Sequence, residues 1–574
     1  MEENDGIPMV YGLDSVHGAN YVLNATMFGA QINGGASFNP DLVYEQGRIS
    51  GQDTRAAGIP WVFGPILEVS QNPLWPRTFE TFGEDPHLVT VMADAITRGL
   101  QSNNQTAACM KHFVAYSKNP TGHDQDGVTI SDYDLLNYFL PPFKAAMAAG
   151  ALSTMENYIS INGVPTIANH KILQVLLRED MGFDGLAVSD FGEIGSMNSF
   201  HRVARDANEA VRFSYTRTGI DMAMGYDTTY LNGTTLLVEE NPEYLDRMKE
   251  SAKRIIKMKL KLGLFDNPVP GADDVAKVRN ENDVATALEL ARESIVLLQN
   301  NDSTLPISSS SSVFLTGFNA HDIGNQCGGF SISWPGYSGN EYFPNGISVK
   351  GGMETIGGDK VTYFNGLDVT GNLSEANMTT AKQLAGQADY TIAVIGEASY
   401  SEKAGDIDDL ALPAGQIEYV KELASTGTKC ADSEDCKMQW DFGTGLSYTE
   451  FTYSDLALSK TNVTSSSDTV DVSVVVTNSG SMAGKETVML FLIQPYRSIS
   501  VPETVNFTLT ADDWSVYQPQ IGEGFKLVAE DTDYVVAIKP ETDCDVYNET
   551  AVANPLCATF TLQTGDYPYG VLLP

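Results

Sequence analysis

The sequence predicts a multidomain α/β protein: a (β/α)8-type barrel, then a smaller α/β region, then a β-sandwich. Three observations lead there. Residues 1–265 alternate short apolar runs with helical stretches, and about 250 residues of such βα units is the usual size of a (β/α)8 barrel. The same texture resumes for a shorter span beyond Phe265-Asp266-Asn267-Pro268-Val269-Pro270-Gly271, a turn-rich linker of the kind that stops helices. From about Trp440 helical signals fade and short strands follow one another at regular spacing, as in a β-sandwich. With 574 residues, the chain has length for three or four domains.

Taken in order, residues 60–64 and 185–190 are nearly continuous apolar runs, which suit parallel strands covered on both faces. Between them, residues 86–102, 138–149 and 170–181 carry helical patterns, and 244–262 follows as a basic helix with a solvated face. A linker occupies 266–284. The second region, 285–429, opens on a helix at 285–294 and contains strand candidates at 312–315 and 390–395. In the third, 440–574, Val470, Val472, Val474 and Val476 alternate with other residues, and 487–492 and 534–538 supply further strands.

Composition narrows the function. Hydrophobic residues at 42% and charged residues at 19% are globular values rather than those of a disordered chain. Lys and Arg number 35 against 74 Asp and Glu, a net charge of −39. Such a surface repels phosphate backbones and anionic lipid, so nucleic-acid and membrane partners are not expected. Nine Asn-x-Ser/Thr sequons, at Asn24, Asn104, Asn232, Asn301, Asn372, Asn377, Asn462, Asn506 and Asn548, point to an extracellular glycoprotein. Two close cysteine pairs, Cys430 with Cys436 and Cys544 with Cys557, point the same way. Cys109 and Cys327 are expected to be free. The acidic start Met1-Glu2-Glu3-Asn4-Asp5 is unlike a signal peptide.

Short signatures of metalloproteases, nucleotide loops and serine hydrolases are absent, and the seven histidines are scattered. No metal or other cofactor is expected. What remains are carboxylates at selective addresses. Asp190 ends an apolar run and is followed by Phe191, where a barrel enzyme carries catalytic groups. A carboxylate there could attack a sugar C1, or it could equally cap the next helix. Lys111-His112 also follows a small apolar run and could hold sugar hydroxyls or favour ionisation of a neighbouring acid. A surface lysine beside a core histidine is the alternative. Asp14, Arg77 and Tyr158 have similar solitary cases, each matched by a bland turn or core role.

Together these residues lie in a recognisable order. Tyr11-Gly12-Leu13-Asp14-Ser15-Val16-His17-Gly18, Asn72-Pro73-Leu74-Trp75-Pro76-Arg77, Phe82-Gly83-Glu84-Asp85-Pro86, Met110-Lys111-His112-Phe113 and Val188-Ser189-Asp190-Phe191 resemble motifs of family 3 glycoside hydrolases. So do Gln326-Cys327-Gly328-Gly329, Ser333-Trp334, the segment from Gly396-Glu397 through Glu402 to Asp406, and Phe442-Gly443-Thr444-Gly445-Leu446-Ser447-Tyr448.

The resemblance implies an α/β sandwich as the second domain and a fibronectin type III-like third. It implies an exo-acting, retaining β-glucosidase without cofactor. Asp190 would be the nucleophile and Glu402 the acid/base, preferred over Glu397 on the same loop. Asp14, Arg77, Lys111, His112 and Tyr158 would line the first sugar subsite above Met155, and Phe191 and Trp334 would sandwich the next sugar. Phe191 stands where the family usually has Trp, and Pro76 where Gly is usual. Members of the family usually carry a helix, a strand and a secretion signal before the first motif, and a longer run between Thr428 and Trp440. The chain is therefore expected to lack part of its second domain. The alternatives are a β-xylosidase, a non-catalytic glycan-binding relative whose domains fail to close, and a β-N-acetylhexosaminidase using His123-Asp124.

Overall fold

The computed structural model describes residues 5–225, 228–427, 440, 442–465, 467–494, 497–502, 506–517, 520–538, 544 and 554–563. The Cys430–Cys436 pair and the Asn548 sequon lie outside them.

The first region is built on a parallel sheet of strands β1 (Gly12–Leu13), β2 (Trp61–Val62), β3 (Ala107–Phe113), β4 (Ser153–Glu156), β5 (Leu186–Phe191) and β6 (Met222–Met224), hydrogen-bonded in chain order. Side chains alternate along a strand, and here both faces are buried. Ala108, Met110 and Ala187 face the large helix-side core, whereas Cys109, Met155, Leu186 and Val188 pack with Trp61, Met258 and Leu262 on the other side. This is why the runs carry few polar residues until their C-terminal ends.

Among the described residues the sheet has six strands, not the eight of a full barrel. Length alone suggested eight. Two helices, Gln31–Ala36 and Pro40–Ala56, separate β1 from β2, and two more, Glu193–Ser199 and Ala207–Arg217, separate β5 from β6. These pairs consume residues that further βα units would need.

Helices fall close to where the patterns put them. Pro86–Leu100 starts where Asp85 accepts the Leu88 N–H at 2.7 Å. The 170–181 pattern is a π-type helix, Lys171–Asp180, and the basic helix is Leu245–Lys261. The helix predicted at 285–294 begins earlier, at Glu281, because the Asn280 side chain caps Asn282 and Asp283.

In the second region β7 (Val313–Thr316) lies between β8 (Val361–Phe364) and β9 (Tyr390–Ala393), all parallel. Phe314 packs there with Leu367, Ala381, Tyr419 and Leu423. The third region has one sheet of Phe451–Leu458, Val470–Asn478 and Asn506–Leu509. A second sheet runs in the order Asn462–Val463, Cys557–Leu562, Asp533–Ile538, Met489–Gln494 and Arg497–Pro502. Val470, Val472 and Val474 from one meet Leu490, Tyr534, Val536 and Phe560 from the other in a single core, a sandwich as expected. Cys544 and Cys557 form a disulfide, and Cys109 and Cys327 are free.

Candidate active site

The site forms where the C-terminal ends of β3, β4 and β5 meet a loop of the second region. Strand β3 is buried along its whole length, so Lys111 and His112 near its end are held without water. Lys111 Nζ donates to Asp14 Oδ1 at 2.6 Å, tying β3 to the segment after β1. Burial works against the charge on Lys111, but Asp14 and Asp190 outweigh it and raise its pKa.

His112 donates its backbone N–H to Glu68 Oε1 at 2.8 Å, and its Nδ1 lies 2.8 Å from the same oxygen. A carboxylate acceptor places the ring proton on Nδ1, leaving Nε2 to accept from Arg77 Nη2 at 3.3 Å. Burial, Arg77 and Lys111 push the His112 pKa well down, so the ring is neutral.

Arg77 is fully buried and grips Glu80 through two bonds, Nε to Oε1 at 2.8 Å and Nη2 to Oε2 at 2.9 Å. Burial alone would drain its charge, but Glu80 and Glu402 keep it cationic. Its Nη1 has no hydrogen bond and points across the domain boundary, 3.5 Å from Glu402 Oε1.

Asp190 is the last residue but one of β5, at 6% exposure. It does not cap the next helix, whose N-cap is Gly192. Its N–H donates to Glu156 Oε1 at 3.0 Å from the end of β4, and Oδ1 accepts from the Phe191 N–H at 2.6 Å. Oδ2 has no hydrogen-bond partner and lies 3.6 Å from His112 Nε2. Burial raises the Asp190 pKa, opposed by Lys111, Arg77 and the Tyr158 hydroxyl.

Glu402 opens a short turn, Glu402–Gly405, with a left-handed backbone at φ 51°. Burial, countered by Arg77 and reinforced by Asp190, Glu80 and Asp124, pushes its pKa up to about 7. A carboxyl with that value is still protonated near neutrality. Glu397 on the same loop is exposed.

Asp14, Arg77, Lys111, His112, Tyr158, Asp190 and Glu402 are thus brought together. Met155 lies beneath them in the core with Trp61, Cys109, Leu186 and Val188. Phe191 and Trp334 stand at the rim, 44% and 49% exposed. The Ser401 hydroxyl donates to the Trp334 carbonyl, which couples that aromatic to the residue before Glu402. His123 and Asp124 do not form a catalytic pair: His123 Nε2 meets Asp408 Oδ1 at 3.0 Å, and Asp124 accepts the Tyr116 hydroxyl at 2.6 Å.

Sequence reasoning missed Glu68, Glu80, Tyr116 and Glu156. Two of them carried a signal. Glu68 interrupts Ile66-Leu67-Glu68-Val69, and Glu156 ends Ala151-Leu152-Ser153-Thr154-Met155-Glu156, each an ionisable residue against an otherwise uncharged run, as at Asp190.

A parallel α/β region and a second α/β region share one carboxylate-rich site, an arrangement that suits glycoside hydrolysis. The chain belongs to glycosyl hydrolase family 3: the model of the family's N-terminal domain matches residues 1–258, and that of its C-terminal domain residues 295–431. A lysosomal beta glucosidase of Dictyostelium discoideum is 31% identical over 651 aligned residues, covering 93% of this chain and 78% of its own. A beta-xylosidase of Formosa agariphila is 26% identical over 95% of this chain and 90% of its own. Among solved structures, a beta-glucosidase of Listeria innocua in complex with glucose superposes with a TM-score of 0.82 at 24% identity, over 98% of this chain and 88% of that one. The b-glucosidase EmGH1 of Erythrobacter marinus gives 0.85 at 24% identity, over 97% and 88%. The enzyme is a hydrolase of the β-glucosidase/β-xylosidase kind.

Proposed function

We propose that this enzyme is a retaining, exo-acting β-glucosidase that removes terminal β-D-glucosyl residues from glucosides or β-glucan oligosaccharides. Asp190 Oδ2 attacks the anomeric carbon as Glu402 protonates the glycosidic oxygen, and the aglycone leaves as an alcohol. Glu402, now ionised, takes a proton from water, which attacks the glycosyl-enzyme and frees Asp190. Asp14 with Lys111, Arg77 and His112 bind the glycone hydroxyls, and Phe191 and Trp334 flank the aglycone.

One observation carries this: a buried carboxyl, Asp190, and a half-buried one, Glu402, come from separate regions and both feel the Arg77 charge in different environments. Glu402 keeps its proton to about pH 7, while Asp190 presents an unpartnered oxygen beside Lys111 and Arg77. Burial raises both carboxyls, but Lys111, Arg77 and Tyr158 oppose it at Asp190, which supports reading Glu402 as the acid and Asp190 as the nucleophile. The contact between the regions argues against a scaffold unable to close. Besides the Arg77–Glu402 pair, Ser331 Oγ lies 3.3 Å from His17 Nε2 and the Ile332 N–H donates to the Asn20 carbonyl at 2.9 Å.

The proposal includes a three-domain division at 1–265, 285–429 and 440–574, with a fibronectin type III-like third domain. It also includes an extracellular location, supported by the Cys544–Cys557 disulfide and the exposed Asn24, Asn104, Asn232, Asn301, Asn372 and Asn462. The expected partner is a neutral β-glycan, as for the Listeria enzymes solved with glucose and with laminaribiose.

The test is an assay on aryl β-glucoside and β-xyloside, with NMR of the first-formed anomer and mass spectrometry after reaction with a 2-fluoro glucoside. Retention and a label on Asp190 are expected, with faster turnover of the glucoside. An inverted product or an unlabelled Asp190 sinks the mechanism. Faster turnover of the xyloside replaces β-glucosidase by the β-xylosidase that the Formosa relative represents.

A further inference from the structure

We propose that Asp406 is a positioning residue: its carboxylate clips the Glu402 loop onto the first region and thereby delivers the catalytic proton to the Asp190 site. This rests on Glu402 being the acid/base.

The Glu402 turn is not part of a sheet, so its position depends on what it touches. Three of its contacts bear on the proposal, beside the Lys403 ammonium 5.0 Å from the Phe200 ring centroid. Ser401 is tied within its own region, to the Trp334 carbonyl. Gly405 backs onto the first region so closely that a Cβ there would fall 2.9 Å from Pro76 Cβ, beside Arg77, and 2.3 Å from the Tyr400 ring. Asp406 Oδ1 accepts the Asp124 N–H at 2.7 Å, a short bond to a charged acceptor.

Asp124 is itself fixed. It is fully buried and accepts the Tyr116 hydroxyl at 2.6 Å. The Tyr116 ring packs beneath Arg77 at 5.6 Å, against His112 at 5.4 Å and Tyr158 at 6.3 Å. Arg77 reaches back to Glu402 Oε1 at 3.5 Å. The contacts close a circuit from Glu402 through Arg77, Tyr116 and Asp124 to Asp406, four residues along the same loop. Within it, the Asp406–Asp124 bond is the hydrogen bond that crosses between regions. The neighbouring His123–Asp408 pair also crosses, but Asp408 is 94% exposed and such pairs hold little.

Loss of the clip lets Glu402 drift from the glycosidic oxygen while leaving Asp190 and the glycone pocket intact. Only the protonation step then suffers. Leaving groups that need no proton are spared, and this separates positioning from damage to the fold. The experiment measures kcat/KM for wild type, Asp406→Ala, Asp406→Asn and Glu402→Gln on a series running from a 2,4-dinitrophenyl glycoside to an alkyl glycoside or disaccharide.

In Asp406→Ala the expected loss is about 10- to 100-fold on the poor leaving groups, part of what general-acid catalysis supplies, and under about threefold on the dinitrophenyl glycoside. Asp406→Asn retains the accepting oxygen and is expected to restore the poor substrates to within about threefold of wild type. Equal losses across the series in Asp406→Ala, no loss at all, or no restoration by Asp406→Asn overturns the proposal. Glu402→Gln keeps the two ideas apart. A steep Glu402→Gln series beside a flat Asp406→Ala series removes only the Asp406 role, and a flat Glu402→Gln series removes the acid/base assignment itself.

Discussion

The two carboxyls of the site are held in opposite ways. Asp190 is a property of one sheet. Its N–H is bonded to Glu156 on the adjacent strand, and its leading cationic neighbour, Lys111, comes from β3, two strands away in the same sheet, with Arg77 added from the loop after β2. Strand register fixes its position to within a hydrogen bond. Glu402 has no ladder; it sits in a left-handed turn whose polar crossing contacts include the Arg77–Glu402 pair and the Asp406–Asp124 bond. Its position is a property of an interface. Changes in the sheet should therefore strike bond formation at the sugar carbon, and changes at the interface should strike proton transfer.

The largest effect tests the sheet side. Asp190→Asn keeps the size and the Phe191 bond but removes the attacking charge, and kcat should fall by about 10⁴-fold or more on every substrate, whatever its leaving group. Steady-state rates with aryl glycosides measure it. A variant that kept activity on dinitrophenyl glycosides alone would merge the two behaviours and break the contrast.

Next in size is the pH dependence of the interface side. As the proposed acid, Glu402 must be protonated to donate, and its pKa is raised to about 7. In wild type kcat/KM on a poor leaving group should fall tenfold per pH unit well above pH 7. Glu402→Gln should lose this limb and keep a nearly flat alkaline profile. A wild-type limb that survives in Glu402→Gln assigns it to another group.

The same contrast decides what was legible in the sequence. Asp190, Lys111 and His112 stood out because buried strands exclude charge, so an ionisable residue at the end of an apolar run is conspicuous. By that rule Glu68 and Glu156 were equally visible. Glu402 had no such context: its neighbours are Ser401 and Lys403, and only family motifs pointed to it. Asp406 was seen beside it, but its partner Asp124 is 282 positions away, and no local pattern encodes that separation. Strands and helices were legible within a few residues because periodicity and caps are local. Strand number was not, since paired helices occupy length just as further βα units would.

A smaller effect sharpens the sheet side. Lys111 is the leading influence holding the Asp190 pKa down against burial. Lys111→Met should let that pKa rise further. Under the proposed mechanism Asp190 attacks as the anion, so the acidic limb of kcat/KM moves to higher pH while the alkaline limb set by Glu402 stays near 7. The activity bell narrows from one side only. A shift of both limbs would show that Lys111 couples to the interface as well.

The smallest effect belongs to a contact that touches neither carboxyl. The third region reaches back to the first through a hairpin of Ser515–Tyr517 and Leu527–Ala529. There Lys144 Nζ lies 4.2 Å from the ring centroids of both Tyr517 and Phe525 and donates to the Tyr517 hydroxyl. The loop between the strands is also held by Asp180, which accepts the N–H groups of Gly522 at 2.6 Å and Gly524 at 3.1 Å. Lys144→Ala removes two cation–π contacts at a half-buried site, a loss of about 1 kcal/mol. Urea unfolding should register that loss and proteolysis within the hairpin should quicken. Both kcat and the leaving-group dependence should remain at wild-type values, because the Asp180 bonds persist and neither strand end nor Glu402 loop is touched. A change in the leaving-group slope would instead place the third region in the same mechanical circuit as Asp406, and the interface that positions Glu402 would then extend across all three regions.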